Sequence, residues 1–151
     1  MKIAVGSDHA AFAHKQHIVE TLREEGHDIL DVGCDSAESC DYPDFAKQVA
    51  QAVSKAQTEC GILLCGTGLG MCMSANKVHG IRAAVCHDEY TTIMSRSHNN
   101  ANVLCMGGRV LAADEAMHLV RIWLRTRFEG GRHKGRVDKV MKIEEEECGG
   151  K

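Results

Sequence analysis

A chain of 151 residues can close one hydrophobic core but hardly two, so a single domain over residues 1–151 is expected. Its net charge of −3 gives no electrostatic reason for nucleic acid or an anionic membrane to be its principal partner, which turns attention to small molecules. The N-terminus becomes polar at Ser7-Asp8-His9 before a signal-peptide apolar region is complete, and no later apolar run reaches membrane-spanning length, so a cytoplasmic protein is expected.

Lys2-Ile-Ala-Val-Gly-Ser7 has the composition of a buried strand, with Asp8-His9 just past its end. Ala10 to Glu25 then places Phe12, Ile18, Val19 and Leu22 at helical spacing and stops at Gly26. A second strand spans Asp28 to Val32, and a loop from Gly33 to Asp44 holds Tyr42 and the only proline, Pro43, which suits the start of a helix running to Lys55. A third strand ends at Cys65, and Met71 to Asn76 has helical composition. Gly80 to Cys86 predicts a fourth strand, Asp88 to Arg96 a helix, and Ser97 to Asn102 a polar connection. Val103 to Met106 is the fifth strand, followed by Gly107-Gly-Arg109. An amphipathic helix covers Ala113 to Arg125, a charged helix covers Lys134 to Glu147, and residues 148–151 are expected to fray.

Five strands alternate with helices, and they are apolar almost throughout rather than on alternate residues. That pattern predicts a parallel sheet covered on both faces, a three-layer α/β/α doubly wound (Rossmann-like) domain with a C-terminal helix. In such sheets ligands bind beyond the carboxyl ends of the strands. Asp8-His9, Cys65-Gly-Thr-Gly68 and Gly107-Gly-Arg109 all fall at those ends.

The stretch Gly61-Ile-Leu-Leu-Cys-Gly-Thr-Gly-Leu-Gly70 reads as strand, tight loop and helix start. Free backbone N–H groups at such a turn favour an anion and a thiolate at Cys65. The 8 cysteines include no C-x-x-C pair and no paired zinc spacing, so no metal site is expected. Most are expected to be reduced, and a buried structural cysteine is the ordinary alternative for Cys65.

With Asp8-His9, Cys65-Gly-Thr-Gly-Leu-Gly70, Ser97-His-Asn-Asn100, Gly107-Gly-Arg109 and Glu129-Gly-Gly-Arg-His133 in this order, the sequence resembles the ribose/galactose isomerase family up to about Glu145. The resemblance implies a cofactor-free aldose–ketose isomerase acting on a phosphorylated pentose, ribose 5-phosphate or ribulose 5-phosphate. It also implies a homodimer with active sites at the subunit interface, sometimes paired into a tetramer. By position it makes Cys65 the proton-abstracting base and His98 the residue that opens the furanose ring, helped by Thr67 and Asp8. The backbone of Gly66, Thr67, Gly68, Leu69 and Gly70 would hold the enediolate. His9, Arg109, Arg132 and Arg136 would surround the phosphate, and Asn99 and Tyr42 would bind the sugar. Residue type alone leaves His98 equally a surface histidine, Arg132 and Arg136 a solvated basic face, and Asp8 a helix cap. His14, His17, His27, His79, His87, His118 and His133 are assigned structural or exposed positions.

These residue types suit aldose–ketose chemistry. Moving a carbonyl from C1 to C2 needs a base for the C2 proton and donors for the oxygen that gains charge. A histidine titrates in the right range to open the sugar ring, and arginine forks grip a phosphate that orients the reacting carbons. A tyrosine-phosphatase loop would need arginine six positions after the cysteine, where Met71 stands. A dinucleotide fingerprint would have a different glycine spacing and follow the first strand, not the third. The remaining competitors are isomerases of six-carbon sugar phosphates. Cys65 argues against the galactose 6-phosphate type, and allose 6-phosphate remains open as a second substrate.

Overall fold

The computed structural model describes residues 1–148; Cys148, expected to fray, still belongs to the last helix, and the rest of that expectation, residues 149–151, lies outside the described residues. Five strands, β1 (Lys2–Ser7), β2 (Asp28–Asp31), β3 (Cys60–Cys65), β4 (Ala83–Val85) and β5 (Val103–Gly107), form one parallel sheet in the order β2-β1-β3-β5-β4. Six helices connect and flank them: α1 (Phe12–Glu24), α2 (Tyr42–Ser54), α3 (Leu69–Ala75), α4 (Glu89–Ser97), α5 (Ala113–Arg125) and α6 (Arg132–Cys148). This is the expected doubly wound architecture. Among the described residues no helix is long and apolar enough to cross a membrane.

The period-2 geometry of the central strands sorts their side chains into two cores. Ile62 and Leu64 of β3 and Leu104 and Met106 of β5 pack with Ile18 and Leu22 of α1 and Val120 and Trp123 of α5. Leu63 and Cys65 of β3 and Val103 and Cys105 of β5 point the other way, onto Val49 of α2 and Met71 of α3. Trp123, 1% exposed, donates its indole N–H to Ser95 Oγ at 3.2 Å and carries the Arg96 guanidinium 4.8 Å above its ring, tying α5 to α4.

The departures from expectation have local causes. The first helix begins with a 3₁₀ turn, His9–Ala11, because Asp8 Oδ1 accepts the Ala10 N–H (2.9 Å) ahead of the α-helical register. The fourth strand is shorter than Gly80–Cys86. Asn102 Oδ1 takes the Arg82 N–H and Asn76 Oδ1 takes the Ala83 N–H, both at 2.8 Å, so side-chain amides replace ladder bonds there. Helix α4 runs one residue further than expected, to Ser97 with His98 as its cap, and Asn100 reverses the chain at φ 47°.

Leu104 is fully buried in the centre of β5. Leu104→Ala should cost about 2–5 kcal/mol of stability through lost transfer energy and the cavity left behind. Urea unfolding at fixed protein concentration should show a lower midpoint with an unchanged slope, and a loss well under 1 kcal/mol would contradict the packing described.

Candidate active site

The strand order reverses between β1 and β3, and the expected rim residues meet at the carboxyl ends of those two strands. A cleft of about 310 Å³ is lined there by Asp8, His9, Tyr42, Cys65, Thr67 and Arg109, with the Gly66 and Gly70 backbone. Asp8 is 6% exposed, and its N–H donates to Leu64 O at 3.2 Å, so β1 and β3 stay joined where the cleft opens. The Cys40 N–H donates to His9 Nδ1 (3.2 Å), which makes Nε2 the protonated nitrogen of a neutral imidazole.

Glycine geometry builds the loop after Cys65. Gly68 adopts φ +79°, and a Cβ there would lie 2.9 Å from the Met106 backbone. That turn brings the Gly68 N–H to 3.1 Å from Cys65 Sγ. Cys65 is only 5% exposed: the loop closes over the sulfur. Helix α3 has only seven residues, so nearby N–H donors rather than a long aligned dipole supply the local field. The first intrahelical bond runs from the Cys72 N–H to Gly68 O at 3.0 Å, and the Gly70 and Met71 amides precede it. The Leu69 N–H is taken by Thr67 Oγ1 at 3.4 Å, and the Leu69 side chain is exposed. The Tyr42 ring covers Gly70 so closely that a Cβ there would sit 2.7 Å from it.

The remaining predicted residues lie elsewhere. His98 and Asn99 follow α4, and with His133 and Arg136 they line a second cleft of about 390 Å³. Asn76, Ile81, Arg82 and Ala83 form its other wall. Arg132, at the exposed start of α6, is not among the lining residues of either cleft. Asn100 O accepts from Arg82 Nε (3.0 Å) and Asn102 O accepts the Gly61 N–H (3.0 Å), which fixes this region at the amino ends of β3, β4 and β5. Cys65 pairs in register with Gly107 and Gly61 with Val103, so four strand residues, roughly 13 Å, separate the two ends. A single chain therefore carries Cys65 and His98 at opposite ends of its sheet.

Two histidines assigned structural or exposed positions from the sequence, His87 and His133, turn out to be placed with purpose. His87 Nε2 accepts the Gly107 N–H (2.9 Å), and burial, opposed by Asp88, holds this imidazole below its usual value in the neutral form that can accept. His133 stacks on His98, and Glu129 approaches both rings. The signal available in the sequence was Gly130-Gly131 immediately before a helix, a pair that can fold a chain back on itself.

A family model for ribose/galactose isomerases matches residues 3–140. The chain belongs to the ribose/galactose isomerase family. Within this family, the chain is 46% identical over 144 residues to ribose-5-phosphate isomerase B of Escherichia coli K12, covering 95% of this chain and 97% of that one. It is 42% identical over 148 residues to the D-erythrulose-4-phosphate isomerase of Pectobacterium atrosepticum, covering 97% of each. Ribose-5-phosphate isomerase B of Mycoplasma genitalium, solved with bound ribulose 5-phosphate, superposes with a TM-score of 0.92 at 42% identity, covering 96% of this chain and 97% of that one.

Cys72, near the Cys65 loop, is a cysteine whose titration is displaced downward. The Cys105 thiol facing it, with the Val85 backbone and the Asn76 amide at 3.5 Å, outweighs partial burial and brings its pKa down to about 7. Cys105 itself is buried and pushed well up, and Cys60 is pushed up to about 12 by burial. The ultraviolet thiolate absorbance lost in Cys72→Ser relative to wild type should therefore grow with pH through a midpoint of about 7. A midpoint at the ordinary thiol value would contradict this assignment.

Proposed function

We propose that this chain is a cofactor-free aldose–ketose isomerase of ribose 5-phosphate and ribulose 5-phosphate, a single isomerase domain whose active site is completed by a second copy. The observation that carries the reading is the split between the two clefts. The cysteine loop and its anion-binding neighbours sit at one end of the sheet, and His98 with Asn99 and Arg136 sits at the other. A two-fold dimer that brings the carboxyl rim of one copy against the second cleft of its partner would assemble both halves twice, once at each end of the interface. Pairing of such dimers into a tetramer would leave the site unaltered; that further step is an expectation from the family alone.

In the assembled site the furanose opens first. The partner's histidine at position 98 donates a proton to the ring oxygen as its bond to C1 breaks, and Asp8, with Thr67 beside it, takes the C1 hydroxyl proton. The Cys65 thiolate then removes the C2 proton, and the Gly68 N–H at 3.1 Å from the sulfur steadies its charge before and after the transfer. Negative charge moves to O1 as the enediolate forms. Amides of the Gly66–Gly70 loop accept that charge without solvent having to reorient. The O2 proton passes to O1, and the same thiol returns its proton to C1, giving the ketose. His9 Nε2–H, Arg109, Arg132 and Arg136 hold the phosphate, and Tyr42 and Asn99 bound the sugar hydroxyls.

Chain length of the sugar is the open part of the specificity, since one relative is named for a four-carbon phosphate. Comparing kcat/KM on ribose 5-phosphate, allose 6-phosphate and D-erythrulose 4-phosphate tests it. Ribose 5-phosphate is expected to be preferred, and a preference for either other sugar would replace the substrate assignment.

Cys65→Ala should lower isomerisation by about 10²–10⁴-fold with the fold intact. His98→Asn should be similarly impaired. Refolded together in equal amounts, the two variants form mixed dimers with one intact site each, so about a quarter of wild-type activity should return. Mixed dimers that stay inactive would sink the shared-site reading. High activity in Cys65→Ala alone would sink the mechanism.

A further inference from the structure

His133 lies in the first turn of α6 with only 6% of its surface exposed, and its ring is stacked on that of His98. The ring centroids are 4.0 Å apart and the planes differ by 10°. Both Nε2 atoms face one carboxylate oxygen, Glu129 Oε2, at 3.8 Å from His98 and 3.6 Å from His133. The backbone enforces this meeting. The Glu129 N–H donates to Ser97 O (3.0 Å), the residue directly before His98, and Gly130 and Gly131 at φ 67° and 53° turn the chain back. The His133 N–H then closes onto Gly130 O at 3.0 Å. The end of α4 and the start of α6 are thus stapled around two imidazoles.

Two imidazolium rings at this separation repel, and a single carboxylate cannot offset two positive charges. Burial, His98, Arg132 and Arg136 all disfavour the charged form of His133, with Glu129 opposing them, so its titration is pushed below the ordinary histidine value. A charge on both rings at once is therefore disfavoured. The three ligand atoms lie within 4.8 Å of one another, but parallel stacked rings aim their Nε2 lone pairs side by side. A cation at about 2 Å from both nitrogens would require the stack to break.

We infer that His133 is a positioning residue: its buried ring, stacked on His98 and sharing the Glu129 carboxylate, sets the orientation and proton occupancy of the imidazole that opens the sugar ring. This rests on the ring-opening role given to His98 above. His133 touches His98 rather than the reacting carbons, and its work is to keep one imidazole of the pair free to exchange a single proton. Glu129, more exposed, biases that proton toward the pair.

The test isolates ring opening from C2 proton transfer. In a Cys65→Ala background no C2 proton is moved, yet the enzyme should still exchange the α and β anomers of ribose 5-phosphate, which NMR exchange spectroscopy reads directly. Adding His133→Ala should slow that exchange by about 10–100-fold, the scale of a small misplacement of a reacting group. His133→Phe preserves the stack without the second titrating ring; it should recover most of the exchange rate at its optimum but with a displaced pH profile. Glu129→Gln should move the acid limb of the profile to lower pH, because removing the carboxylate destabilises the imidazolium.

A second readout needs no activity. The His98 ring signals of the substrate-free protein, followed by NMR against pH, should titrate with a changed midpoint in His133→Ala and in Glu129→Gln. Unchanged anomer exchange together with an unchanged His98 titration would overturn the inference; should His133→Ala fail to fold, the Phe and Gln variants carry the same test. Absence of isomerase activity in the wild-type chain would overturn the isomerase reading instead, while the His98 titration would still decide the coupling.

Discussion

The close passage of two strand ends governs the carboxyl rim. Where β3 and β5 stop, their chains continue in contact: the Gly108 N–H donates to Cys65 O (2.8 Å) and the Arg109 N–H to Gly66 O (3.0 Å). A Cβ on Gly107 would sit 2.8 Å from Thr67 Cα and 2.9 Å from Gly66 O, so the approach exists only because position 107 has no side chain. His87 holds the other side of this junction through the Gly107 N–H. The loop amides and the Cys65 sulfur owe their positions to that crossing. Arg109 leaves it directly over Gly66, with its Cδ 3.4 Å from where a Cβ would be. The cysteine loop is thus a feature of two strands, rigid because β3 and β5 behind it are buried along their whole length.

A parallel sheet has a second consequence for function. Each helix returns the chain from the carboxyl end to the amino end, so a residue at the end of a crossover helix, such as His98, is delivered to the far side from a residue at a strand end, such as Cys65. No side chain spans roughly 13 Å of strand. Chemistry that needs both groups within hydrogen-bonding reach of one sugar therefore needs two copies of the fold. The exposed apolar side chains Leu69 and Met73 of α3 and Val140 and Ile143 of α6 are available for such association.

Much of this was legible in the sequence, for physical reasons that differ by residue. Fully apolar strands and glycine stops specified the parallel sheet, and the Cys65-Gly-Thr-Gly68 turn could be placed because glycines at a strand end have few other uses. What escaped were interactions set by partners distant in sequence. Asn76 and Asn102 shorten β4 by capturing its backbone, which local propensity cannot reveal. The burial of Cys65 depends on Gly68 folding back onto its sulfur. His133 looked like one histidine among several, since only the positive φ of Gly130 and Gly131 brings it onto His98. Arg132 and Arg136 were grouped by charge, but only Arg136 lines the cleft beside His98 in a single chain.

A division of labour across two copies, as proposed, would also limit what steady-state rates can reveal. Isomerisation in the two directions passes through the same ring opening and the same proton transfer. The equilibrium constant between the two sugars fixes the ratio of kcat/KM forward to kcat/KM reverse, and no substitution in the enzyme can change that ratio. A damaged ring opener and a damaged C2 base therefore slow aldose and ketose alike, although one acts before the enediolate and the other makes it. If His98 opens the ring and Cys65 moves the C2 proton, the two become distinguishable only where a partial reaction stops between them: anomer exchange does not call on Cys65, whereas C2 proton transfer does. On the proposed mechanism that separation in time would mirror the placement of Cys65 and His98 at opposite ends of the sheet.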